Sequence, residues 1–282
     1  MRCYRHPDRE TGVSCSECGR GICPDCMRFA PVGIRCPEHS GEAQGARRVV
    51  QGVQKRSARN PGLVTKTLIG INVGIYLLQL AGGASMNANS GWIFEHFALF
   101  IERIDSSGAV VGLAEGEWYR LLTAAFLHYG PIHLAMNMLA LWWIGRPLED
   151  WLGPVRYLLL YLVAGIAGSA GALIASPDAV TVGASGAIFG LFGAYYVVVR
   201  RLGGETRSIV TLLVINLVIT FTIPIIDWRA HLGGLVVGAL VAAAFSYAPR
   251  GPQRGRLQAL ACAAVSLVLV AAVVARTGAL GG

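Results

Sequence analysis

Seven stretches of the chain carry no Asp, Glu, Lys or Arg: 67–94, 121–145, 157–177, 179–199, 208–226, 230–249 and 257–275. Each can supply the roughly 20 apolar residues that cross about 30 Å of hydrocarbon as a helix, and each is too long for a buried strand. Their Gly, Ala and Leu content suits packed helices. The pattern predicts an all-α membrane protein, a polytopic helix bundle of seven spans. Between the first two spans, the segment Trp92-Ile93-Phe94-Glu95-His96-Phe97-Ala98-Leu99-Phe100-Ile101 has apolar residues at helical spacing, with Glu95 and Glu102 at its margins. That predicts a helix lying in the membrane interface.

Composition agrees, with 54% apolar and 14% charged residues and a mean hydropathy of +0.53. These values exclude an ordinary soluble fold. The basic residues set the orientation. Arg47, Arg48, Lys55, Arg56, Arg59 and Lys66 precede the first span. Arg146 and Arg156 separate the second from the third, Arg200, Arg201 and Arg207 the fourth from the fifth, and Arg250, Arg254 and Arg256 the sixth from the seventh. The opposite side holds Arg103, Arg120, Arg229 and Arg276. The positive-inside bias predicts a cytoplasmic N-terminus and an external C-terminus, in a multi-pass protein of the bacterial inner membrane. The net charge of +8 is largely this asymmetry and does not argue for nucleic acid. No cleavable signal peptide is expected, because the chain begins with a Cys/His-rich segment rather than an apolar run.

That segment holds four pairs, each with two intervening residues: Cys3 and His6, Cys15 and Cys18, Cys23 and Cys26, Cys36 and His39. Eight such ligands suit two tetrahedral zinc sites. Alternating use of the pairs gives Cys3, His6, Cys23 and Cys26 at one site, and Cys15, Cys18, Cys36 and His39 at the other. A reducing cytoplasm argues against a disulfide scaffold. With every position filled by protein, the metal is expected to be structural, and its binding to supply most of the folding energy. The arrangement resembles a small B-box-type zinc finger with cross-braced sites, which implies a cytoplasmic protein partner. The predicted organisation is a zinc-binding domain over 1–40, a basic polar linker over 41–62 that meets anionic lipid headgroups, a six-helix core over 63–248, and a seventh helix with its tail over 249–282.

The polar residues of the membrane part gather at one level. The second, fourth and sixth spans run in the same direction, so their N-terminal ends share one leaflet. His133 and Asn137 lie four apart, on one face just after Pro131. Ser185 opens the fourth span and His231 the sixth. Gly186, Gly190 and Ala194 form a row of small residues on the fourth span, as Gly234, Gly238 and Ala242 do on the sixth. Such rows let helix backbones approach closely. Ser185 and His231 stand just ahead of them, so a serine nucleophile and a histidine base are predicted within hydrogen-bond reach. Asp227, four residues before His231, reads as a solvated loop acid beside Pro224 and Trp228 rather than a third triad member. Glu149 reads as a structural anchor at the inner interface, and Cys262 in the seventh span as an inert thiol.

Here the sequence resembles the rhomboid family of intramembrane serine proteases. The matching elements are Gly183-Ala184-Ser185-Gly186, His133-Leu134-Ala135-Met136-Asn137 and Ala230-His231-Leu232-Gly233-Gly234, with Arg120 and His128 ahead of the second span and Glu149 at its end. The resemblance spans roughly 66–248, the six-helix core of that family. It implies Ser185 as nucleophile and His231 as general base, a dyad without aspartate. It also implies an oxyanion hole formed by His133, Asn137 and the Ser185 backbone N–H, with Gly183, Gly186, His128, Arg120, Phe189 and Gly234 in support. Two departures stand out. Trp118-Tyr119-Arg120 replaces an adjacent Trp-Arg, and Phe189 occupies the place where some members have a tyrosine beneath the base. Neither removes a catalytic group.

The function expected is an intramembrane serine endopeptidase that cleaves transmembrane protein substrates near the outer leaflet, without a cofactor for catalysis. Two rivals are weighed against it. A catalytically silent rhomboid-like protein would bind transmembrane clients and recruit a partner through the finger, but both Ser185 and His231 are present. A transporter would use His133 and His231 as proton relays, yet the two halves of the chain show no inverted repeat.

Overall fold

The computed structural model describes residues 1–29, 33–39, 61–84, 90–176, 179–223, 226–249 and 251–278. The chain forms two compact units, Met1–Arg59 and Asn60–Gly282. Most of the predicted basic linker, with Arg47, Arg48, Lys55, Arg56 and Arg59, lies outside the described residues.

In the first unit the chain doubles back in short turns. Bridges join Arg2 to Glu10 and Ser14 to Gly21, and β1 (Arg28–Phe29) pairs antiparallel with β2 (Ile34–Arg35). Among the described residues its buried apolar cluster is Ile22 with Cys3, Cys15, Cys23, Cys26 and Cys36. One isoleucine is no hydrophobic core, so something other than apolar burial must order this unit.

The second unit is helical. Its elements are α1 (Leu63–Ala81), α2 (Trp92–Phe97), a hairpin of β3 (Arg103–Ile104) and β4 (Val110–Val111), and α3 (Arg120–Thr123). Next comes α4 (Pro131–Ala140), which continues through a π-helical turn at Leu141–Gly145 into α5 (Arg146–Leu152). The remainder is α6 (Pro154–Ala175), α7 (Ser185–Arg201), α8 (Arg207–Thr222), α9 (Trp228–Tyr247) and α10 (Arg254–Gly278). Seven helical segments thus fall on the seven uncharged stretches. Among the described residues four, α1, α6, α9 and α10, are long and apolar enough to cross a bilayer. Of the other three, α8 is apolar but only 16 residues long, α7 has 17 residues, and the second segment is interrupted by its π turn.

Two boundaries differ from expectation. The second stretch begins at 121, but the long helix starts only at Pro131, a residue suited to a first helical position. The interfacial helix stops at Phe97 because the backbone near its end is claimed by other partners. Arg120 Nη1 donates to the carbonyls of Glu95 and Ala98, both at 2.8 Å, and Leu99 exchanges backbone hydrogen bonds with Thr181.

Small residues bring α6, α7 and α9 together at their backbones. A Cβ added at Gly168 of α6 would lie 2.9 Å from the Gly186 Cα, and one at Gly171 would lie 2.6 Å from the Arg229 carbonyl oxygen. A Cβ at Gly234 would strike the Gly186 carbonyl, and one at Gly238 the Gly190 backbone. Gly186 and Gly190 therefore face Gly234 and Gly238 in register, so α7 and α9 run parallel and begin at the same end of the unit, its upper end. At the opposite end Glu149 fastens α5 to the start of α1. Its carboxylate accepts from the Val64 N–H, the Thr65 N–H and the Thr65 hydroxyl at 2.8–2.9 Å. A negative group is favoured there by the free N–H groups and positive end of the helix. The seventh segment, α10, is tied in through buried Gln258, which accepts from Arg156 of α6 at 2.8 Å and donates to the Phe245 carbonyl of α9 at 2.9 Å.

Candidate functional site

Ser185 is the first residue of α7, and its hydroxyl makes no capping bond to that helix. The segment before it is braced on both sides. Thr181 pairs with Leu99, and the Gly183 N–H donates to the Ala124 carbonyl at 2.9 Å. Gly183 holds φ at +130°, where a side chain would be strained. It also sits against the His133 ring. A Cβ there would lie 3.0 Å from His133 Nε2 and 3.7 Å from Ser185 Oγ, so the structure brings those two residues to one place.

The partners of His133 decide which nitrogen carries its proton. Its Nδ1 accepts from the Tyr129 N–H at 3.4 Å, which leaves the hydrogen on Nε2, the nitrogen beside Gly183 and Ser185. Asn137, one turn later on α4, is buried, and its Nδ2 has no hydrogen-bond partner among the described residues. A buried amide donor left free is costly unless something transient is meant to fill it. Two donors from α4 and the N–H at the start of α7 thus stand near one another at the upper end.

His231 lies one turn into α9 and is buried. The Phe189 ring stacks on it, with centroids 4.0 Å apart and 15° between the planes. Its Nδ1 lies 2.8 Å from the Thr220 hydroxyl of α8. Among the described residues no hydrogen bond joins His231 to Ser185; the glycine seam of α7 and α9 is what brings their helices into contact. Asp227 is neither a triad acid nor a freely solvated one. It caps α9 by accepting from the Arg229 N–H at 3.0 Å, and Thr181 donates to its other oxygen at 3.3 Å. An aspartate two residues before a helical N–H is the ordinary capping signal, and it could have been read from the sequence. A cavity of about 280 Å³ opens beside it, lined in part by Thr181, Thr220, Asp227 and Arg229.

Arg120 and His128 lie around this centre rather than in it. Arg120 is 1% exposed. It binds the Glu117 carboxylate through Nε and Nη2 at 2.7 Å and lies over the Phe100 ring at 4.3 Å. Glu117 also accepts from the Gly112 N–H and the Tyr119 hydroxyl. These bonds, with Arg120 beside it, hold its carboxyl below the usual range although burial pushes the other way. His128 has its backbone clasped by Gln79 of α1, at 3.3 and 3.1 Å, and its ring 5.1 Å from that of His133. Sequence reasoning did not find Glu117, Gln79, Thr220 or the α6 glycines. Only the last carried a readable signal, the small residues Gly165, Gly168 and Gly171 three apart.

In the first unit, the metal-binding atoms fall into the two groups expected from alternating pairs. One is Cys3, His6, Cys23 and Cys26, the other Cys15, Cys18, Cys36 and His39, each with its ligand atoms within 4.8 Å of one another. The His6 Nδ1 lies 3.3, 3.4 and 3.8 Å from the sulfurs of Cys23, Cys26 and Cys3. In the second group Cys36 Sγ is 3.2 Å from His39 Nδ1 and 3.9 Å from Cys18 Sγ. Tetrahedral zinc with bonds of about 2.3 Å to sulfur and 2.0–2.1 Å to nitrogen separates its ligands by about 3.5–3.8 Å, so the spacing fits a metal of that size. All seven cysteines are free thiols. Burial raises the Cys3 thiol, but the N–H groups of Cys23 and Arg5 and the His6 ring outweigh it and bring it to about 6, ready to bind as thiolate.

A family model of the rhomboid domain matches residues 115–248. Rhomboid protease GluP of Bacillus subtilis (strain 168) is 43% identical over 150 residues, 51% of this chain and 29% of that protein. The putative rhomboid protease YdcA of the same organism is 43% identical over 141 residues, 48% of this chain and 71% of that protein. RHOMBOID-like protein 1 of Arabidopsis thaliana is 32% identical over 160 residues, 54% of this chain and 41% of that protein. The chain therefore spans less than a third of the first relative and about seven tenths of the second.

Proposed function

The chain belongs to the rhomboid family of intramembrane serine proteases, and on that premise we propose that it is an endopeptidase cutting transmembrane segments of membrane proteins near the outer leaflet. Ser185 is the nucleophile and His231 the base. The observation that carries this reading is the side-chain-free seam between α7 and α9, which brings the helices of Ser185 and His231 backbone to backbone at the end where both residues stand.

As Ser185 Oγ attacks the scissile carbonyl, its proton passes to His231 Nε2 and the carbonyl oxygen takes the electron pair. His133 Nε2–H, Asn137 Nδ2 and the Ser185 N–H stabilise that oxyanion, aided by the positive end of α7. Collapse of the intermediate breaks the C–N bond, and the leaving amine takes the proton back from His231. Water then repeats the sequence on the acyl-enzyme; the polar cavity beside Thr220 and Asp227 supports a supply of it. Helical substrates shield their carbonyls, so segments with small or helix-breaking residues near the cut are favoured.

The upper end faces the outside, with the N-terminus cytoplasmic and the C-terminus external, in a bacterial inner membrane; the basic bias of the loops supports this. The working division is a domain over 1–40 holding two structural zinc ions, a linker over 41–62, a protease core over 63–248 and an additional helix over 249–282. The first domain offers a surface for a cytoplasmic protein. A serine-directed fluorophosphonate probe on the detergent-solubilised chain tests the activity. Labelling is expected in the wild type and none in Ser185→Ala or His231→Ala; equal labelling of Ser185→Ala overturns the reading.

A further inference from the structure

We infer that Thr220 of α8 is a positioning residue that fixes the proton of His231 on Nδ1 and so leaves Nε2 free to act as the base. The inference rests on the proposed role of His231. Thr220 and Ile209 are the only buried residues among those described in α8, and Thr220 is 3% exposed. Its hydroxyl has a single hydrogen, and that hydrogen goes to the Asn216 carbonyl one turn back, at 2.7 Å. Toward His231 Nδ1, at 2.8 Å, the oxygen can then only accept. An imidazole that donates from Nδ1 has its lone pair on Nε2.

Each neighbour of the ring is thereby assigned. Phe189 fixes its plane, the α9 backbone its height and Thr220 its tautomer. In serine proteases with a complete triad, aspartate performs the last task, and the wrong tautomer there is severely damaging. A neutral hydroxyl does the orienting without placing a second charge in the bilayer, where a carboxylate would be expensive. Asp227 cannot substitute, because its two oxygens are engaged by the Arg229 N–H and Thr181. The Thr220 contact is also the polar tie between α8 and α9, so the base depends on a helix other than its own.

The test pairs Thr220→Val, which keeps the branched shape and removes the hydroxyl, with Thr220→Ser, which keeps the hydroxyl. Cleavage of a transmembrane reporter is expected to lose about tenfold in kcat for Thr220→Val, with KM little changed, and to recover in Thr220→Ser. Nitrogen NMR of histidine-labelled protein gives an independent signature: His231 protonated at Nδ1 in the wild type and in Thr220→Ser, and mixed in Thr220→Val. Unchanged kcat in Thr220→Val overturns the inference, as does an equal loss in both variants or a wild-type His231 protonated at Nε2. If Ser185→Ala still cleaves, the protease reading fails, while the NMR result still decides whether Thr220 sets the tautomer.

Discussion

The two units of this chain reach order by opposite means. The first has one buried isoleucine and eight metal-binding side chains within 39 residues; the second has almost no polar core and a seam in which glycine meets glycine. In the first, side chains do everything and the backbone merely brings them to two points. In the second, the decisive contacts of α6, α7 and α9 come from the absence of side chains. A unit held by ligands is as stable as its metal is tightly bound, whereas a unit held by close backbones depends on volume, and a single methyl can spoil it.

That contrast can be pressed at several points. Chelation should have the largest effect. With about 10 kcal/mol or more per zinc site at stake, the first unit should unfold while helicity of the second and probe labelling of Ser185 persist. Circular dichroism and elemental analysis, with about two zinc ions per chain at the start, would check it. Gly234→Val drives a branched side chain into the Gly186 carbonyl, which cannot step aside. It should abolish cleavage and cost about 3 kcal/mol or more, read from thermal unfolding in detergent, with metal content unchanged. Asn137→Ala should separate chemistry from packing, lowering kcat about 10²–10³-fold with the melting temperature nearly the same. The smallest effect is a pH dependence at Glu117. Its folded carboxyl sits below the ordinary value, so its contribution to stability is present above that range and lost as pH falls through the lowered value. Thermal midpoints of wild type and Glu117→Gln should differ near about pH 7 and converge below about pH 4.

Legibility in the chain divides along the same line. The metal clusters were legible down to their pairing, because ligand chemistry admits few residue types and the pairs alternate. The helical segments and the facing rows of Gly186, Gly190, Gly234 and Gly238 were legible from hydropathy and spacing. The polar partners were not. Glu149 with Thr65, Gln79 with His128, Arg156 with Gln258 and Thr220 with His231 join positions 11 to 102 residues apart. A lone threonine in an apolar helix looks like any other threonine until the fold supplies its neighbour. The early end of α2 escaped for a related reason. Helical spacing runs on to Ile101, but the Arg120 guanidinium takes the carbonyls there.

The glycine seam has one more consequence, a mechanical one. Where two main chains touch directly, the distance between the helices is fixed by bonded atoms and has no rotamers through which to relax. Trimming a distant core residue such as Leu160 or Leu191 should therefore soften the molecule without altering the reach from serine to histidine. Tolerance to such losses, rather than stability itself, is what a seam without side chains confers on a pair of reacting groups borne by different helices.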